Sequence, residues 1–230
     1  MIEITYTEVF GWDAAIRGMR NPLNSWDKSD SVFSEYYVCG AKVGETDLAL
    51  MRRLVLAGSD HAKFMRMINV TADITAPLYW WKEYDTYKVG TVANSCSTMH
   101  TIADKEFTLD DFSHEHLGVH IPAEKNGGEE CHQNLWEVTM ENIVSALNIA
   151  RNHYSHATDP VLMKAYWWQI IQLLPSSYNQ KRTVQLNYAV LRNMYHARRN
   201  HKLDEWRDFC SWVESLPYAE LITLGGNDNG

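Results

Sequence analysis

Apolar positions along the chain alternate early and recur at helical spacing later. Ile2, Ile4 and Tyr6 alternate with polar neighbours. Side chains on a strand point to opposite faces in turn, so this pattern predicts a strand reaching about Phe10. Gly11 interrupts it, and a short helix is predicted around residues 13–19. Residues 21–30 are rich in Asn, Asp and Ser and contain Pro22, the composition of a loop. Thr46 is a plausible N-cap for a helix over residues 47–56, with Gly58 as its stop. Residues 65–75 are β-branched and partly alternating (Ile68, Val70, Ala72, Ile74), which predicts a second strand. Pro77 then opens an aromatic segment, Leu78-Tyr79-Trp80-Trp81-Lys82-Glu83-Tyr84, read as a helix with proline in its first turn.

Residues 107–128 are polar and irregular and end at Gly127-Gly128. Beyond them the period changes. Trp136, Met140, Ile143, Leu147 and Ala150 recur at helical spacing and predict a long helix over roughly residues 130–155. Further helices are predicted from Pro160 to Leu174, where Pro175 stops the run, over residues 180–199, and over residues 204–214. The GGNDNG ending reads as a disordered tail over residues 225–230, behind one domain over residues 1–224. A small early sheet followed by long helices is an α+β fold.

Composition sharpens this picture. The chain has 230 residues, enough for one good-sized domain. Lys and Arg number 21 against 29 Asp and Glu, a net charge of −8, which argues against a nucleic-acid coat. The charge is unevenly placed. Between Asp159 and Asp204 there is no acid, while Lys164, Lys181, Arg182, Arg192, Arg198, Arg199 and Lys202 all fall there. Helical faces normally interleave acids at i,i+4, so these cations lack local partners and suggest a site for a small anion. On a helix, Asn187 and Arg198 share nearly one face, with Leu191 and Met194 between them, while Asn193 points elsewhere. No stretch approaches the ~20 apolar residues of a membrane span. The MIEITYTEVF start is no signal peptide, and four scattered cysteines form no CxxC pair. These features lead us to expect a cytoplasmic protein.

Other constellations are weaker. Trp80-Trp81 and Trp167-Trp168 read as packing in preference to base stacking, one ring of each pair inward and the other on an interface. His114-Glu115-His116, with His120 and His132, matches no zinc spacing, so no metal is assigned. Cys96 in Asn94-Ser95-Cys96-Ser97-Thr98 reads as an ordinary thiol, since a nucleophile needs a His partner in space. GxGxxG, P-loop and GxSxG motifs are absent.

Residues 76–99, Ala-Pro-Leu-Tyr-Trp-Trp-Lys-Glu-Tyr-Asp-Thr-Tyr-Lys-Val-Gly-Thr-Val-Ala-Asn-Ser-Cys-Ser-Thr-Met, resemble the central segment of the flavin-dependent thymidylate synthases. In that family an Ala-Pro and a short aromatic helix follow a strand and lead into an Arg-His-Arg-x-x-Ser motif. Asp60-His61-x-x-Phe64 is similar to the family's Glu-His-x-x-Phe. Leu174-Pro175, Asn187, Asn193 and Arg198 match a later Leu-Pro, two Asn and an Arg at the family's spacing. The resemblance covers roughly residues 45–100 and 165–215.

There are departures. Thr86-Tyr87-Lys88 stand for Arg-His-Arg, and Thr91 stands for the Ser. The motif's Asn-Glu and Arg-Tyr fall on Ala93-Asn94 and Thr98-Met99, a one-residue slip putting Asn94 on the Asn. Ala189 and Ile171 stand where arginines are expected. Each charge-assisted hydrogen bond is worth roughly 1.5–3 kcal/mol, so losing two or three of them weakens a phosphate ligand by orders of magnitude. Lys88 replaces one of them as a point charge without the guanidinium fork.

The resemblance implies the family's fold and a homotetramer with sites shared at subunit boundaries. It also implies flavin adenine dinucleotide (FAD) as cofactor, a nucleotide as ligand, and thymidylate synthase-like methyl transfer if the site turns over. It assigns Tyr87, Lys88, Thr91, Asn187 and Asn193 to flavin. Arg198, Arg199, Arg192, Lys88 and Asn94 go to the nucleotide, with Arg198 on its phosphate. Three readings stand open: a divergent flavoenzyme, a non-catalytic protein that sequesters or senses a nucleotide or cyclic or dinucleotide signal, and a structural oligomer. No catalytic residue is assigned.

Overall fold

The structure is a computed structural model that describes residues 2–37, 39–117 and 133–225. His120, Cys131, His132, Gly127-Gly128 and the tail expected to be disordered, apart from Gly225, lie outside the described residues. The chain divides into two compact units. One holds residues 76–81 and 95–180, and the other holds residues 2–75, 82–94 and 181–230.

The larger unit is organised by the central strand β4 (Asn69–Pro77), the expected second strand. Val70, Ile74 and Ala76 are wholly buried there and Ala72 nearly so, while Asn69, Thr71, Asp73 and Thr75 are half-buried. β1 (Glu3–Phe10) pairs antiparallel with it as an edge strand. The register shifts between Thr5 and Glu8, where Tyr6 adopts φ 52°, a bulge with one extra residue. β6 (Asn179–Asn187) flanks β4 on the other side, and β5 (Val92–Ser95) completes the order β1-β4-β6-β5.

β6 corrects the reading of residues 180–199 as one helix. Gln180, Val184 and Leu186 are buried and Lys181, Thr183 and Gln185 exposed, the period of a strand. Only α6 (Tyr188–Arg198) is helical. Its Leu191 and Met194 are wholly buried, so the side of the helix they mark faces the core.

Around the sheet lie α1 (Trp12–Arg20), α2 (Glu45–Leu56), α7 (Asp204–Glu214) and α8 (Glu220–Thr223), with a hairpin of β2 (Val32–Phe33) and β3 (Ala41–Lys42). α2 starts two residues earlier than the sequence suggested. Gly44 stands at its N-cap and Gly58 follows it at φ 108°. The core joins Trp12, Tyr188 and Tyr218, with Trp12 in edge contact with both tyrosines at 5.4 and 5.0 Å. α7 contributes the fully buried Trp206, Phe209 and Val213. A buried ion pair holds α1 to α2: Arg20 Nε donates to Asp47 Oδ1 at 2.6 Å. Asp47 Oδ2 accepts from the Ser29 and Ser31 hydroxyls and from the backbone N–H of Asp30 and Ser31. Every oxygen of the buried carboxylate is thus satisfied.

The second unit contains α4 (Gln133–His156) and α5 (Pro160–Leu173), packed on each other. Asp159 caps α5 by accepting the Val161 N–H at 2.9 Å. The cluster of Ile102, Phe107, Phe112, Met140, Leu147, Ala150 and Ile170 forms its core. Trp80 and Trp81 open α3 (Leu78–Tyr84), and both are wholly buried, so neither is an interface ring. Trp81 satisfies its indole by donating to the Gln180 carbonyl at 2.8 Å. Trp168 is 42% exposed. Among the described residues no helix is long and apolar enough to cross a membrane.

Candidate functional site

The segment that leaves α3 lies along α6 and touches it at both ends. Gly90 packs at the N-terminal end, with φ 78°. A β-carbon there would stand 2.9 Å from Val190 Cγ2 and 3.0 Å from Asn187 Nδ2, so only glycine allows this approach. Tyr87 reaches the C-terminal end, where its hydroxyl accepts from Arg198 Nε at 2.9 Å. Thr91 Oγ1 donates to the Tyr87 carbonyl at 2.5 Å and holds the loop closed. The loop therefore meets α6 near Asn187 at one end and at Arg198 at the other, although about a hundred residues separate loop and helix in sequence.

Each predicted residue can now be placed. Asn187 is the N-cap of α6, its Oδ1 accepting the Val190 N–H at 3.0 Å. This leaves Nδ2, which lies against Gly90, as its remaining donor. Asn193 is exposed on α6, and Lys88 is exposed in the loop with no carboxylate partner among the described residues. Asn94 is exposed on β5. Arg192 turns to the C-terminal segment, where its Nη1 donates to the carbonyls of Ile222 (3.0 Å) and Leu224. Burial pulls the Arg192 pKa below its usual value. Arg199 is half-buried and has partners of its own.

Arg198 is the most heavily engaged of these groups. Its Nη1 donates to Glu83 Oε2 at 2.8 Å. Its guanidinium carbon lies 4.9 Å from the ring centroid of Trp206 and 5.6 Å from that of Tyr87, both cation–π distances. Glu83 Oε2 also accepts the Trp206 indole N–H at 3.0 Å. His201 Nδ1 accepts the Leu203 N–H at 3.2 Å, which leaves the ring proton on Nε2, 3.4 Å from the same carboxylate oxygen.

Sequence reasoning missed Glu83, Trp206 and His201. Glu83 was visible in the aromatic segment, but the partner of Arg198 lies 115 positions away. The cations of the acid-free interval were expected to lack local partners, and three of them find distant ones. Besides Arg198, Lys181 pairs with Asp73 at 3.0 Å and Arg182 with Asp85 at 2.8 Å. Their acids come from β4 and from the segment after α3, brought alongside by the sheet. Hydrogen bonds from Thr183 and then from Lys181 hold the Asp73 carboxyl below its usual range.

Cys96 is exposed, and no histidine bonds its thiol among the described residues. His114 Nδ1 is bound to the Phe112 carbonyl, and no group of three His, Cys, Asp or Glu among the described residues is placed to hold a metal.

No family model matches the chain, and no curated protein matches it. Its shape is another matter. It is similar to Thymidylate Synthase X (ThyX) from Helicobacter pylori with FAD and dUMP, with a TM-score of 0.62 over 96% of each chain at 16% identity. A second structure, flavin-dependent thymidylate synthase ThyX from Helicobacter pylori complexed with FAD and dUMP, gives 0.61 at 15% identity over 96% of this chain and 95% of that one. The chain has the fold of flavin-dependent thymidylate synthase. At this identity the likeness is one of backbone path, and the side chains of the site must be judged on their own.

For a flavin the fit is partial. The Asn187 Nδ2 donor, exposed Asn193 and the backbone of residues 88–90 suit the hydrogen-bonding edges of a flexible cofactor. For a phosphate-rich portion, exposed Lys88 is the one cation that the loop after α3 supplies.

Proposed function

We propose that this protein binds flavin, a nucleotide, or both, in a pocket built on α6 and the loop after α3 and completed by another copy of the chain. The carrying observation is the contact of that loop with both ends of α6, at Gly90–Asn187 and Tyr87–Arg198. This geometry puts part of the set that the resemblance assigns to cofactor and nucleotide, Tyr87, Thr91, Asn187 and Arg198, along one loop–helix contact. The fold likeness to proteins crystallised with FAD and dUMP supports the same reading. When bound, a flavin would supply the redox chemistry. The chain's own part is binding and orientation: Asn187 Nδ2, Asn193, Thr91 and Lys88 towards the cofactor, and Arg198, Arg199 and Asn94 towards the nucleotide, while Arg192 is held by the C-terminal carbonyls.

Self-association as a homotetramer belongs to the same proposal. α4 and α5 expose Leu135, Trp136, Val161, Leu162 and Trp168 in the single chain, apolar surface that a second copy would cover.

A second reading is binding without turnover, for sequestration or sensing of a nucleotide or a cyclic or dinucleotide signal. One observation favours it: the cations that the resemblance expects at residues 86–88 are reduced to Lys88, and Arg198 is already neutralised by Glu83.

Native mass spectrometry with an absorbance spectrum of the purified protein tests the proposal. The expected result is a multimer carrying flavin, or taking up added FAD, or retaining a nucleotide. A colourless monomer that takes up neither FAD nor any nucleotide in a broad thermal-shift screen overturns it.

A further inference from the structure

A cavity of about 460 Å³ lies between α1, α2 and the loop that follows α1. It shares no residue with the contact between α6 and the loop after α3. Its volume falls within the range of small-molecule pockets, about 300–1,000 Å³.

The inner wall is fixed by Arg20, whose side chain is only 3% exposed. Nε is taken by Asp47. Nη1 donates to the Ser25 carbonyl and hydroxyl at 3.0 and 3.3 Å, and Nη2 to the Lys28 carbonyl at 3.0 Å. One buried guanidinium thus sets where Ser25 and Lys28 stand. A guanidinium has five N–H donors, so one on Nη2 is left without an acceptor among the described residues. Ser25 is buried as well, and its hydroxyl proton has no acceptor among them either.

Charge points the same way. Lys28 and Arg53 line the cavity, both exposed, and neither has a carboxylate partner among the described residues. Arg20 is already neutralised by Asp47. Asp30 is turned to the first turn of α2, where it accepts the Thr46 and Asp47 N–H at 2.8 and 3.1 Å. The cavity therefore presents two unmatched positive charges and two spare donors, with Leu23, Ala49 and Leu50 as an apolar side.

We infer that this cavity is a binding site for a small phosphomonoester. The dianion matches the charges of Lys28 and Arg53, the spare donors of Arg20 and Ser25 take its oxygens, and its carbon part rests on Leu23 and Leu50. A monocarboxylate would match one of the two charges, and an uncharged molecule neither. The inference stands apart from the α6 site and needs no flavin there.

The test is calorimetric titration of the full-length protein with phenyl phosphate, inorganic phosphate and phenol at pH 8, where a phosphomonoester, with its second pKa of about 6, is a dianion. The wild type is set beside the double variant Lys28→Gln, Arg53→Gln. Wild type should bind phenyl phosphate at least tenfold more tightly than inorganic phosphate or phenol, and less tightly as salt is raised. The double variant should lose at least tenfold of that affinity while its uptake of FAD or of a nucleotide stays at the wild-type level. Should the double variant fail to fold, Arg53→Gln alone carries the comparison, with a loss of at least threefold expected. A wild type that does not bind phenyl phosphate overturns the inference, and so does binding that the variants retain. Equal affinity for inorganic phosphate overturns it too, since the apolar side then contributes nothing. A wild type that binds phenyl phosphate in this way but takes up neither FAD nor any nucleotide upholds this inference and overturns the α6 proposal.

Discussion

Gly90 lies so close to Asn187 that a β-carbon at position 90 would come within 3.0 Å of the Asn187 amide nitrogen. The loop after α3 and the start of α6 are thus fitted to each other through a residue without a side chain. Asn187 is at the same time the cap of the helix it begins. One residue thus meets the loop through its Nδ2 side and caps the first turn of α6 through its Oδ1.

Gly90→Ala therefore strains the backbone at φ 78° and collides with Val190. The left-handed conformation alone costs a residue with a β-carbon about 1–2 kcal/mol. A lower urea midpoint is expected, together with weaker uptake of flavin or nucleotide. An unchanged midpoint would show that the loop does not rest on α6.

Asn187 can be separated into its two roles. Asn187→Ala loses the cap and should cost about 1 kcal/mol of stability. Asn187→Asp keeps a capping oxygen but loses the Nδ2 donor. Stability near wild type with reduced ligand binding is expected for Asp, and thermal melts with and without ligand would separate the two effects.

The Arg20–Asp47 pair predicts a larger effect. Both side chains are almost wholly inaccessible. Asp47→Ala leaves a buried guanidinium without its charge partner, a change that costs about 3–5 kcal/mol where it has been isolated. Urea unfolding should show this loss, while Arg17→Ala, which breaks an exposed pair with Asp13, should change little.

His196 sets a pH dependence. Its ring nitrogens are buried with no hydrogen-bond partner among the described residues. Burial, then the charges of Arg192 and Arg199, lower its pKa from the usual 6.5, while the nearby carbonyls of Ile222 and Leu224 oppose this more weakly. The folded state thus takes up the proton less readily than the unfolded chain. Its stabilising contribution is complete above pH 6.5 and is lost as the pH falls below it. Urea midpoints between about pH 8 and pH 5 should decline on the acid side, and His196→Phe should lack this increment of the decline.

The exposed rings of α4 and α5 predict assembly. Trp136 and Trp168 are 53% and 42% exposed in the single chain. Trp136→Glu combined with Trp168→Glu should reduce the native mass without unfolding the helices, as judged by circular dichroism. A wild type that is monomeric across micromolar concentrations would remove the need for a second copy at the site.

Much of the fold was legible in the sequence because it follows from local periodicity and punctuation. The alternation of Val70, Ala72 and Ile74, the stop at Gly58, the proline before α3 and the helical spacing from Met140 to Ala150 each report the next few residues of backbone. β6 was lost to a helix reading because the run continues without a break into the true helix at Tyr188. The deciding alternation of Gln180, Val184 and Leu186 includes a glutamine on its buried side, and hydropathy does not mark that residue as inward.

The site divides along the same line. Residues 87–91, Asn187 and Arg198 were nameable from motif spacing, which is a property of the chain. The bond between Arg198 and Glu83, the ring of Trp206 beside them, and the salt bridges from Lys181 to Asp73 and Arg182 to Asp85 were not. The sequence alone determined that an acid-free, cationic stretch exists. Tertiary structure decided that acids from β4 and the aromatic segment come to meet it. Electrostatic partnership depends on distance in space, and strand order and helix packing set that distance across about a hundred residues of chain.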